Sequence, residues 1–164
     1  MSPTAAIETL FIDELTAATR DVFTTMVFQE VESATPITGD GLRRGANVVG
    51  TVAFAGKTSG LVVFSSTMDV ALIITAAMLG IEPASVNGEL PDAIGELTNM
   101  IAGSFRTRMA HARGETWAIS VPTVTVGSDF HTKYVSDVQR VLCPFRMNTA
   151  ELFVELIVTR SAGQ

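Results

Sequence analysis

Asp92, Glu96 and Asn99 are three residues that could share one piece of chemistry, and Gly103 follows four positions later. A helix advances about 100° per residue, so these four positions fall within roughly 60° of one another on one face. The opposite face carries Ile94, Leu97, Ile101 and Phe105, an apolar stripe of the kind that packs on a core. A carboxylate can pair with a cation. A carboxamide donates and accepts hydrogen bonds at once, so it can hold a water molecule in a chosen orientation without being a strong base. Asp92 also has a plain use, since negative charge in the first turn favours the helix dipole. Gly103 is harder to explain. Glycine inside a helix costs on the order of 1 kcal/mol relative to alanine, and a face turned only to water has no need of it. A partner that must approach the backbone closely would need it, and so would a neighbouring helix. On geometry alone the face has two readings: the polar side that amphipathic helices ordinarily turn to solvent, or a docking surface.

The other groupings are weaker. His111 and His131 are isolated from each other and from the single cysteine, so zinc spacing is absent. Cys143 has no partner for a disulfide, and its run Val141-Leu142-Cys143-Pro144-Phe145 reads as a small buried hydrophobe. Ser65-Ser66 and Ser104 have no adjacent histidine, which leaves a hydrolase triad unsupported. Gly39-Asp40-Gly41 is a turn signal, and no Walker-type phosphate loop occurs. No cofactor motif and no metal site are expected in the chain. The formal net charge is −6, so the chain gains nothing from counterion release on a phosphate backbone, and nucleic acid is excluded as a partner. The pair Arg43-Arg44, like Arg106 and Arg108, reads as solvated charge. No stretch approaches the ~20 apolar residues that span a bilayer, and no signal peptide is evident, so cytoplasmic residence is expected.

These residues need elements to hold them. The 164 residues, 47% apolar and 17% charged, suit one globular domain over 1–164, with 1–8 as a loose arm. A helix is expected from about Leu10 to Phe28, with Phe11, Leu15, Ala18, Val22 and Met26 as its stripe. Residues 33–46 read as a connection. Val48–Ala55 and Gly60–Ser65 read as strands of a hairpin turned by Gly56-Lys57-Thr58-Ser59. A second helix is expected over Met68–Leu79, stopped by Gly80. The third, which carries the polar face, runs from about Pro91 to Arg113 and stops at Gly114. Three strands close the chain. In the first, Trp117, Ile119 and Val121 alternate. The apolar phase then flips to Val124 and Val126, with a bulge or bend expected at Pro122-Thr123. Val138–Phe145 and Ala150–Val158 follow. The order implies an α+β fold: a mainly antiparallel sheet of about five to six strands with long helices packed on one face.

Asp92, Glu96, Asn99 and Pro122 together spell D-x3-E-x2-N-x22-P. This pattern resembles the signature of the CheC/CheX/FliY phosphatases, and Gly103 is similar to the small residues that family favours there. The resemblance implies a partner, a phosphorylated CheY-like response regulator, whose receiver domain supplies Mg²⁺ and a lysine. It implies that Asn99 enters the receiver's site and orients the attacking water. It implies that Glu96 pairs with the receiver's lysine and sets the register of docking. Asp92 would be a secondary contact and Pro122 structural. In the CheC branch two helices each carry the motif. Here Asp13, Ala17 and Arg20 occupy the corresponding spacing on the first helix, so the chain resembles the single-site CheX branch. That branch implies a homodimer with the sheets joined across the interface; the apolar run Leu152–Val158 could be such an edge, and a central strand would read the same way. Two rivals remain within the same fold. One is a non-catalytic docking module like the flagellar switch proteins. The other is a dimeric scaffold, which predicts a covered or distorted third-helix face.

Overall fold

The computed structural model describes residues 7–38, 46–130 and 137–159. Gly39-Asp40-Gly41, Arg43-Arg44, His131 and most of the expected N-terminal arm lie outside these residues. Helix α1 spans Thr9–Val22 and continues as a π-helical turn, Phe23–Val27. Phe11, Leu15, Ala18 and Val22 are buried as the stripe requires. The π turn then shifts the phase by one position. Phe23 and Val27 are fully buried, and Met26 is only partly so. Phe28 ends the turn in a left-handed conformation, φ 60°, with its N–H donating to the Phe23 carbonyl. At the start of α1, Ile7 packs on the core and the Glu8 carboxylate meets Arg113 at 2.7 Å, so the arm is already tied down there.

Two short strands, β1 (Glu32–Ser33) and β2 (Ile37–Thr38), occur in the stretch that reads as a connection. Both pair with a strand more than a hundred residues later in the chain. The hairpin β3 (Ala46–Ala55) and β4 (Gly60–Ser66) follows, then α2 (Met68–Leu79). The Thr67 hydroxyl caps α2 by accepting from the Val70 N–H, and Gly80 ends it at φ 68°. After α3 (Leu90–Arg113) come β5 (Ala118–Ile119), β6 (Thr123–Phe130), β7 (Val138–Met147) and β8 (Ala150–Thr159).

The described strands form one antiparallel sheet in the order β1-β7-β8-β4-β3-β5, with β2 also on β7 and β6 also on β3. The expected α+β architecture is therefore present. Alternation along β3 sends Val48, Gly50, Val52 and Phe54 to the buried side, where the helices lie. The registers carry that face across the sheet to Val62 and Phe64, then Val154 and Leu156, then Val141 and Cys143. Burying each such side chain contributes about 1.5–3 kcal/mol. Cys143 sits in this layer, and burial, with the Glu155 charge second, pushes its thiol up to about 12. The expectation of Leu152–Val158 as an edge fails. Strand β8 is hydrogen-bonded on both sides, to β4 and β7, so it has no open edge to offer a partner.

Candidate functional site on helix α3

The height of α3 over the sheet is set at one glycine. A Cβ at Gly50 would lie 2.2 Å from the Thr98 Oγ1, so no larger residue fits beneath the helix there. Thr98 is fully buried, and its hydroxyl donates to the Ile94 carbonyl at 2.7 Å. Further along, Phe105 meets Phe54 edge-on at 6.1 Å, and Trp117 stacks on Phe54 at 4.5 Å. Towards α1, Arg108 bridges Glu14, at 3.3 Å, and Asp21. Arg108 is thus no freely solvated charge. Its hydrogen bond to Asp21, with Glu14 adding, holds its pKa above the usual value. These contacts fix the helix from below and from one side, and the polar face points away from all of them.

On that face Asp92 and Glu96 are exposed, while Asn99 and Gly103 are half-buried. Among the described residues no hydrogen bond or ion pair engages the Asp92 carboxylate, the Glu96 carboxylate or the Asn99 carboxamide. A Cβ at Gly103 would meet nothing within 4 Å. No described helix of this chain therefore explains that glycine. The helix runs unbroken as α-helix through all four positions, and no described residue of this chain bonds to the carboxylates or the carboxamide on the face.

Pro122 joins this group in space. A Cβ built on Gly95 would lie 3.6 Å from the Pro122 Cγ and 3.4 Å from the Val124 Cγ2. The proline ring thus braces α3 one residue before Glu96. The bend expected at Pro122 is real. Phe54 pairs with Ile119 and Thr51 with Thr123, so four steps along one strand oppose three along the other, and one residue is extra. Gly50, Gly95 and Thr98 are positioning residues that motif reading missed. The signal available was a small residue in a strand and in a helix interior, each of which asks for a close neighbour.

The first helix carries no second copy of the pair: Asp13 and Arg20 are exposed, Ala17 is half-buried, and α1 has no Glu-x-x-Asn spacing. A polar cleft lined by Arg20, Thr24, Glu30, Glu32, Arg146 and Asn148 lies at that end of α1, and there Arg146 pairs with Glu32 at 3.0 Å. Ser66 donates to the Thr67 carbonyl, and no histidine stands beside it among the described residues. Among the described residues no three His, Cys, Asp or Glu side chains gather to hold a metal ion. No described helix is long and apolar enough to cross a membrane.

The family model described as "Chemotaxis phosphatase CheX" matches residues 48–146, more than half of the chain. Among solved structures, the chain is similar to a CheC-like superfamily protein from Shewanella sp. PV-4, with a TM-score of 0.84 at 24% identity; the match covers 94% of this chain and 100% of that one. It is similar to the chemotaxis protein CheX from Desulfovibrio desulfuricans, with a TM-score of 0.82 at 25% identity over 90% of this chain and 98% of that one. It also shares its fold with CheX in the CheX–CheY–BeF3–Mg²⁺ complex from Borrelia burgdorferi. There the TM-score is 0.74 at 21% identity, over 92% and 98% of the two chains. No curated protein matches the sequence.

Proposed function

The chain belongs to the chemotaxis phosphatase CheX family, and on that premise we propose that α3 dephosphorylates the aspartyl phosphate of a CheY-like receiver domain. One observation carries the reading: among the described residues Glu96 and Asn99 stand without partners on an open helix face, beside a glycine that none of those residues covers. Phosphoryl transfer needs little covalent help and much alignment. The Asn99 carboxamide accepts from the attacking water and donates to a phosphoryl oxygen, which aligns the water with the phosphorus. Glu96, one turn earlier on the same face, pairs with a receiver lysine and sets the register of docking. Asp92 extends the acidic edge of that contact. Mg²⁺ held by the receiver would supply charge neutralisation at the phosphoryl group. Pro122 and Gly50 act through α3, holding its depth and angle.

Family membership also supports pairing of two copies. With β8 interior, the ends of the sheet at β1/β2 and β5/β6 are the places where strands remain open among the described residues. The rival, a docking module that binds the receiver without hydrolysis, has no use for an unpartnered carboxamide at Asn99.

The test is phosphate loss from a receiver phosphorylated with acetyl phosphate and Mg²⁺, with and without the protein. Acceleration is expected, and Glu96→Ala should raise the half-saturating receiver concentration about tenfold or more, as loss of a charge-assisted contact does. Receiver binding without acceleration would establish the docking module instead.

A further inference from the structure

Val121 lies between β5 and β6 and departs from the alternation that leads up to it. Alternation with Trp117 and Ile119 assigns it to their side, yet Trp117 is 3% exposed and Val121 is 82% exposed, the highest value of any large apolar side chain described. The extra residue between Ile119 and Thr123 is the cause, because a bulge re-aims the side chains around it. The segment is nonetheless held. The Ser120 N–H donates to the Ala53 carbonyl at 2.8 Å, and the Ala53 N–H donates to the Ser120 Oγ at 2.9 Å. The Ser120 hydroxyl donates to the Val121 carbonyl at 2.9 Å. On the other side Pro122 is braced on Gly95, beside Glu96. An apolar side chain is thus held in water by a fixed backbone, at the margin of the polar face.

We propose that Val121 is an apolar contact with the receiver, buried when the Glu96 and Asn99 face engages it. This inference rests on the receiver-docking reading of α3 and extends it. A polar face alone binds weakly, since its groups exchange hydrogen bonds with water for hydrogen bonds with the partner. A desolvated apolar anchor beside it supplies affinity without touching the reacting atoms. The partner is the receiver because Val121 directly precedes the proline that braces α3 one residue before Glu96, which makes the valine continuous with the docking face.

The experiment uses the full chain and a CheY-like receiver, phosphorylated with acetyl phosphate for turnover and loaded with beryllium fluoride and Mg²⁺ for binding. Val121→Asp should raise both the half-saturating concentration and the dissociation constant about tenfold, and Val121→Thr about threefold, with turnover at saturation unchanged. Val121→Ile should retain wild-type values. An unfolding midpoint equal to that of the wild type checks that the fold is intact. Unchanged affinity in Val121→Asp overturns the proposal and leaves the phosphatase reading standing. A changed oligomeric state with unchanged affinity overturns it in favour of a second copy of this chain. If the wild type binds the receiver without accelerating phosphate loss, the phosphatase reading falls and the affinity arm still decides on Val121. No binding at all overturns both.

Discussion

At Gly103 a single hydrogen atom stands where any other residue would place carbon, and, apart from its chain neighbours and the helix's own backbone, no described residue lies within 4 Å of that position. An intramolecular cause for the glycine is thereby removed. Its carbonyl accepts from the Thr107 hydroxyl at 3.1 Å, so the helix continues normally through it. Gly103→Leu should therefore stabilise the fold by about 1 kcal/mol through helix propensity. The same change should raise the half-saturating receiver concentration severalfold, by obstructing approach to the backbone. Denaturant unfolding and phosphate-loss kinetics on one preparation check the two signs together. A more stable protein with unchanged kinetics would make the glycine irrelevant to docking. Most of the candidate site was legible at this scale because Asp92, Glu96, Asn99 and Pro122 have fixed spacing. Val121 was not, because one inserted residue reverses the side to which alternation assigns it.

At the scale of elements, α3 is a rigid mount whose depth depends on the absence of a side chain at Gly50. Gly50→Ala would drive a methyl to 2.2 Å from the Thr98 Oγ1, and overpacking of that kind costs about 1–3 kcal/mol. Thr98→Ala removes the clashing oxygen and leaves a Cβ at 3.2 Å. In that background the Gly50→Ala cost should fall below about 1 kcal/mol, a coupling that a double-mutant cycle measures. Equal costs in the two backgrounds would show that the contact does not set the helix. Elements with strong local signals were readable in advance. Helix α2 spans the expected Met68–Leu79 and ends at Gly80. Strands β1 and β2 were not readable, because two-residue strands owe their existence to β7 and not to their own residues. The π turn was also hidden, since it moves the stripe by one position without changing composition.

At the scale of the whole molecule, the fold places one polar face on α3 over a helix-covered sheet and leaves α1 without its counterpart. Position for position, Ala17 and Arg20 stand on α1 where Glu96 and Asn99 stand on α3. The sheet order was beyond the sequence, because β8 reads alike as an edge or a centre and only its pairing with both β4 and β7 decides. The proposed single site per chain makes a sharp demand: if Asn99 alone aligns the water, nothing else in the molecule should sustain the reaction. The decisive measurement is phosphate loss from a phosphorylated CheY-like receiver in the presence of Asn99→Ala, at concentrations where direct binding shows the receiver to be saturated. The account predicts a rate equal to the receiver's own loss of phosphate, with binding largely retained. Acceleration at the wild-type level by saturating Asn99→Ala would contradict it.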